Sequence, residues 1–317
     1  MKSTLVVVAL AYCIVSTVHV SCQPFNDTLY ALLKDHDNST RFVHYAGQTG
    51  LNLTLKDPYE SLTVFAPSNQ AFDQLPKDVK KELENDLDLL TDVMTFHFYQ
   101  GLVSLSVNNA LSSSLAGAQA RINLYTNPKF NMTTVSGVPV IQTQSFPGLR
   151  NGVLYLVDKV MFPIPTGTAL TFVNDDKFSM LNLALAKAGM TSFLDGKDAD
   201  VTILAPSDEA FGQLPPGFFD DLLQDVPLLT KVLQNHIVRD VWYSAYFVAA
   251  GGGSMTTMAG QQLDVTLTDD DTTLQIGDAS VTQSDVSVTN GVVHVINCLL
   301  LPADVRGKVG RPEMRTV

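Results

Sequence analysis

Two histidines are the residues of this chain best suited to chemistry, because they occur twice in one setting. Of the six His, only His97 and His236 recur at equivalent positions, 139 residues apart, each closing a helical region. An imidazole titrates near neutrality and can serve as acid, base or metal ligand. Acid–base or nucleophilic catalysis also needs a partner group within reach. No carboxylate or nucleophile recurs beside the pair, and the chain contains no HExxH, GxSxG, P-loop or CxxC motif. A histidine at a helix end is then expected to pack half-buried, bonding a nearby carbonyl or easing the helix C-terminus. Asp269-Asp270-Asp271 offers consecutive acids, but neighbours in a turn splay apart and no EF-hand spacing follows. The chain reads as non-enzymatic, with no cofactor and no dedicated metal site.

The elements that would position the histidines are also written twice. Thr63–Phe72, TVFAPSNQAF, returns as Thr202–Phe211, TILAPSDEAF, at the same offset of 139. Gly50 and Gly189 keep that offset, as do Leu75-Pro76 and Leu214-Pro215, Asn151-Gly152-Val153 and Asn290-Gly291-Val292, and Pro163 and Pro302. A constant offset of this size signals a duplicated globular domain, being far too long for a solenoid repeat. In each copy a β-branched apolar run predicts a buried strand. Pro67 or Pro206 ends it, and Ser68 or Ser207 stands where a helix N-cap is wanted. Apolar residues at helical spacing then predict helices over 79–98 and 218–238, and a leading helix in the second copy stops at Gly189. Strands are expected over 121–125, 135–143 and 153–162, then over 263–268, 273–276, 279–282 and 292–301, with Asp269–Asp271 as a hairpin loop. Helices first and strands second make each domain α+β.

TVFAPSNQAF and TILAPSDEAF resemble the first signature segment of the fasciclin domain, an extracellular adhesion module. Asn151–Pro163 (NGVLYLVDKVMFP) and Asn290–Pro302 (NGVVHVINCLLLP) resemble that family's C-terminal strand. The resemblance covers roughly residues 25–302. It implies two fasciclin domains, each a twisted antiparallel β-wedge with helices packed along it. It also implies cell-surface receptors, integrins among them, or extracellular-matrix components as partners. The family carries a Tyr-His pair proposed to contact integrins. Here that pair is Phe96-His97 and Asn235-His236, so the His is kept and the Tyr is lost in both copies. There is no Arg-Gly-Asp. Leu263-Asp264-Val265 matches a short integrin-recognition tripeptide, but it falls in an expected strand, where alternate side chains point to opposite faces.

Met1-Lys2, an uncharged run from Leu5 to Val20 and Val20-Ser21-Cys22 form the n-region, h-region and cleavage site of a signal peptide. The run is short for a membrane span. The expected layout is a signal peptide over 1–22, domains over 23–163 and 168–302, a linker over 164–167 and a disordered basic tail over 303–317. That tail has no hydrophobic stretch for a glycolipid anchor, so a freely secreted protein is expected. Cys13 leaves with the signal; a Cys22–Cys298 bridge survives only if cleavage precedes Cys22. The domains must then be held by their cores, which a 45% hydrophobic composition allows. Glycosylation sequons stand at Asn26, Asn38, Asn52 and Asn131, all in the first copy.

The net charge of −12 is unevenly placed: residues 1–166 hold 13 acids against 11 bases, and residues 167–317 hold 19 against 9. An acidic balance argues against nucleic acid. The leading reading is a secreted adhesion or matrix protein working through multivalent contacts. The alternative is an acidic organic-matrix protein at a calcium or mineral surface, against which stands the dispersal of its acids along a folded domain.

Overall fold

A computed structural model describes residues 28–144, 151–163, 167–196, 200–268, 273–303 and 305. The expected signal peptide, Cys22, Asn26, most of the linker, the Asp269–Asp271 loop and nearly all of the tail lie outside these residues.

Each copy forms a seven-stranded sheet with helices against one side. The first contains β1 (Leu62–Pro67), β2 (Phe98–Gln100), β3 (Ala110–Ser113), β4 (Gln119–Asn127), β5 (Phe130–Val135), β6 (Val138–Gln144) and β7 (Gly152–Val157). The second contains β8 (Val201–Pro206), β9 (Ile237–Arg239), β10 (Gly253–Thr256), β11 (Gln262–Leu267), β12 (Leu274–Ile276), β13 (Ala279–Val288) and β14 (Gly291–Ile296). The strand orders, β2-β1-β7-β6-β5-β4-β3 and β9-β8-β14-β13-β12-β11-β10, are the same topology twice. The α+β wedges are as expected, antiparallel in every pairing but one in each sheet. β1 runs parallel to β7 and β8 parallel to β14, each joined by a crossover that contains most of its domain.

That parallel pair explains the unbroken apolar signature. Leu62, Val64 and Ala66 of β1 pack with Phe42, Phe72 and Met94 on the helical side. Phe65 points the other way, among Ile122, Val135, Tyr155 and Val157. A strand covered on both faces has no polar side to alternate. In the second copy Val201, Ile203 and Ala205 face the helices and Leu204 the opposite side.

The expected long helices are each broken once. Helices Lys77–Asn85 and Leu87–Phe96 meet at Asp86, whose carboxylate accepts from the N–H groups of Asp88 and Leu89, both at 3.0 Å. Helices Phe218–Gln224 and Val226–Gln234 meet at Asp225, which accepts from Leu228 N–H at 3.0 Å. Phe98 and Val238 belong to strands. Ser68 caps its helix through Ala71 N–H at 3.1 Å, whereas the Ser207 side chain makes no cap bond. The strand expected over 135–143 is a hairpin, turning at Ser136-Gly137 with φ of 50° and 81°. β7 and β14 end at Val157 and Ile296, short of Phe162 and Leu301, and β13 runs on to Val288. The leading helix Ser179–Ala188 closes at Gly189, φ 68°, as its spacing predicts.

Candidate functional site

His97 is fully buried and His236 is 3% exposed, and both make the same two hydrogen bonds. In the first copy Nδ1–H donates to Val93 C=O at 2.8 Å and Nε2 accepts from Met161 N–H at 3.0 Å. In the second, Nδ1–H donates to Val232 C=O at 2.7 Å and Nε2 accepts from Leu300 N–H at 3.0 Å. An amide pointing at Nε2 fixes the neutral Nδ1–H tautomer. Burial, which penalises the charged ring, lowers each pKa to about 4, partly opposed by the bond to the helical carbonyl. Each histidine ties the last turn of a helix to the segment after the central parallel strand. The backbone carbonyls of His97 and His236 also accept from Phe65 and Leu204 of the signature strands. A neutral ring with both nitrogens engaged has no free position for a substrate or metal.

The other adhesion candidates separate by burial. Phe96 and Asn235, the neighbours of the histidines, are wholly buried. Asn235 Nδ2–H donates to Leu300 C=O at 2.8 Å and its Oδ1 accepts from Thr257 at 3.1 Å. Leu263 and Val265 point inward from β11 and are 2% and 1% exposed, while Asp264 between them faces outward. Of the seven candidates Asp264 is exposed and the other six are buried. Of the sequons, Asn38 and Asn131 are exposed and Asn52 is half-buried. Cys298 lies just past β14, its thiol 3.5 Å from Asp278 C=O. Among the described residues no three His, Cys, Asp or Glu side chains are grouped to hold a metal ion, and no helix is long and apolar enough to cross a membrane.

A repeated Asn-Gly pair holds the scaffold together. Asn151 Oδ1 accepts from Leu29 N–H at 2.9 Å, and its amide donates to Leu55 C=O at 3.1 Å and Asp57 C=O at 2.7 Å. Asn290 repeats this with Ala169, Leu194 and Gly196 at 2.8, 2.8 and 2.9 Å. One buried amide thus closes three backbone groups of the leading helices onto the sheet. The constant 139-residue offset marked the pair, although its role needed the coordinates.

The two copies meet through a joint that periodicity did not reveal. Tyr125 on β4, 6% exposed, donates from Oη to Val241 C=O and accepts from Tyr243 N–H, both at 3.1 Å. Trp242 stacks on its ring at 5.7 Å and Tyr246 lies at 5.1 Å. Arg121, 1% exposed, pairs with the Asp200 carboxylate and donates to Thr289 C=O at 2.9 Å. Gly137 in the β5–β6 turn lies against Tyr243, whose ring would be 2.3 Å from any added Cβ. Burial raises the pKa of the Tyr125 hydroxyl, and it pushes that of Tyr243 up to about 12. Tyr125→Phe should therefore cost about 2 kcal/mol of docking, because it leaves Val241 C=O and Tyr243 N–H without their partner. Equilibrium urea unfolding should show one coupled transition in the parent and two separable ones in the variant. An unchanged single transition would mean that the hydroxyl does not couple the domains.

Comparison with known proteins places this architecture. A model of the fasciclin domain matches residues 37–163 and 176–302. The chain is 32% identical over 250 residues to the transforming growth factor-beta-induced protein ig-h3 of Sus scrofa, covering 78% of this chain and 35% of that protein. It is 27% identical over 250 residues to periostin of Homo sapiens, covering 78% and 29%. The chain thus spans about a third of the length of these relatives. Among solved structures, a FAS1 domain pair from the insect cell adhesion molecule fasciclin I aligns with a TM-score of 0.41 and 16% identity, over 86% of this chain and 99% of that one.

Proposed function

The chain belongs to the fasciclin family, and on that premise we propose that it is a secreted adhesion or extracellular-matrix protein acting through non-catalytic contacts of two coupled domains. The partners we assign are cell-surface receptors, integrins among them, or matrix components. The observation that carries this reading is the Tyr125 joint. A flexible pair of domains presents two weak sites at variable spacing, whereas a docked pair presents them at one spacing. When that spacing matches the partner, the second contact forms at a high effective concentration and avidity exceeds either site alone. The buried histidines support the non-catalytic half of the reading, because they are neutral structural ties.

The receptor contact is assigned to the exposed surface and not to the histidines. Asp264, exposed on β11, is the first residue to test. The experiment is cell attachment to surfaces coated with the purified chain, with Asp264→Ala and Tyr125→Phe in parallel. Divalent-cation-dependent attachment that falls about tenfold in the joint variant supports multivalent adhesion. Loss in Asp264→Ala places the contact on β11. No attachment to any cell tested, together with retention on a calcium phosphate surface, would replace this reading with the mineral-surface one, for which the 19 acids against 9 bases of residues 167–317 speak.

A further inference from the structure

The stretch 241–263 of the second domain contains no Asp, Glu, Lys or Arg, and neither does the equivalent stretch 101–120 of the first. In the second domain this stretch is covered: Phe247 packs in the domain's own core, and Val241 and Tyr243, at most 2% exposed, lie in the loop that Tyr125 of the first domain bonds. The first domain builds the same loop. Thr63 Oγ1 donates to Gly101 C=O at 2.8 Å and accepts from Val103 N–H at 2.9 Å. Thr202 makes the same bonds to Asp240 and Trp242, at 2.8 and 2.9 Å. Gly101 and Asp240 share a left-handed conformation, with φ of 74° and 75°. The outcome for burial is opposite. Leu102, at the place of Val241, is 72% exposed, and Val107, Leu111 and Leu115 beyond it are 53%, 45% and 39% exposed.

This face also contains part of an open sheet edge. β3 is the terminal strand of its sheet; just past its C-terminal end the Tyr99–Ser114 bridge closes it onto β2, and Ala110–Ser113 have no strand partner on that side among the described residues. Edge strands are ordinarily protected by charge, proline or a bulge. β3 reads Ala-Leu-Ser-Ser, with none of these.

We propose that this face of the first domain, β3 with Leu102, Val107, Leu111 and Leu115, is a self-association surface that docks a second copy of the chain through its own β3. Continuation in head-to-tail fashion is disfavoured by the other end of the molecule. By strand register the second-domain residues equivalent to Arg121, Asn123 and Tyr125 are Asp264, Thr266 and Thr268, and the first two are exposed and polar. They supply no aromatic ring to stack on the loop at Leu102 and no guanidinium, an acid standing in place of Arg121. The same face on a second copy does match, because antiparallel edge pairing about a two-fold axis is self-complementary. Charge favours it as well. The excess of acid lies in residues 167–317, whereas residues 1–166 hold 13 acids against 11 bases, so the paired faces belong to nearly neutral halves.

Sedimentation equilibrium of the full chain across a range of micromolar concentrations tests this. The parent should show a monomer–dimer equilibrium, weakened roughly 100-fold in Leu102→Asp/Leu111→Asp by the loss of two apolar contacts and the gain of like charges. Leu183→Asp, at a 53% exposed site on the second domain, should dimerise as the parent does. Amide exchange at 110–113 should slow as the parent dimerises, a readout that needs no variant. A parent that stays monomeric throughout, a dimer that survives the double substitution, or a dimer with unchanged exchange at β3 would each overturn the proposal.

Discussion

Replacing Gly291 by alanine is expected to unfold the second domain, at a cost above about 4 kcal/mol. Gly291 has φ 154°, and a Cβ there would lie 1.9 Å from Val201 C=O oxygen and 3.0 Å from Val201 N. Both neighbours are backbone of the central strand and cannot move aside as a flexible side chain would. The register pairs Gly291 with Val201, and Val201 N–H donates to Asn290 C=O at 3.2 Å. The clash therefore falls on the first rung of the parallel ladder, beside the asparagine that closes the leading helices. Gly152→Ala should act alike on the first domain, with φ 146° and the new Cβ 1.9 Å from Leu62 oxygen. The single tryptophan, Trp242, lies on the second domain at the joint and reports both events. Gly291→Ala should expose it fully, whereas Gly152→Ala should remove only the stacked Tyr125. Thermal unfolding of either variant within a few degrees of the parent would show that the strands can separate to admit a methyl group.

Much of this scaffold was legible because local chemistry and tertiary role agree. Thr-Val-Phe-Ala-Pro and Thr-Ile-Leu-Ala-Pro read as buried strands because both faces of β1 and β8 are covered. The turn at Ser136-Gly137 was missed because Val135 and the run Val138–Ile141 were read as one strand across it, although Ser-Gly is itself a turn signal. The helix breaks at Asp86 and Asp225 were missed because the apolar stripe runs through them, although an aspartate before an apolar run is an N-cap signal. The parallel pairing could not be read from pattern alone, since the partner strand lies some 90 residues away in each copy. The joint was hidden for a different reason. Arg121, Tyr125 and Tyr243 look like ordinary surface-strand and loop residues, yet each lies buried at the contact between the two domains. The histidines were found by repetition and then placed by burial, which turned candidates for surface contact into ties within the core.

Lowering the pH from 6.5 to 4 should remove roughly 3 kcal/mol of stability from each domain through its repeated histidine. The folded-state pKa of His97 and of His236 is lowered from 6.5 to about 4. In that interval the unfolded chain binds a proton that the folded chain excludes, so stability falls as the pH falls. Above 6.5 both states are neutral and the contribution is flat; below about 4 both are protonated and the loss is complete. The cause is mechanical as well as electrostatic. A proton on Nε2 would face Met161 N–H or Leu300 N–H, turning an accepted hydrogen bond into donor against donor. Carboxylates titrate near the lower end of the window, so the test is a difference. Urea unfolding between pH 4 and 7 should be compared with His97→Gln/His236→Gln, which keeps a neutral acceptor at each site. The double variant should be less stable at pH 7 but have a shallower pH slope, and parallel slopes would remove the histidines from the acid response. The corresponding alanine variants leave a helical carbonyl and a strand-end amide unpaired in each core, at about 3 kcal/mol per domain. Loss of cell attachment by such variants would therefore report loss of fold, and receptor contact must be read from exposed positions such as Asp264.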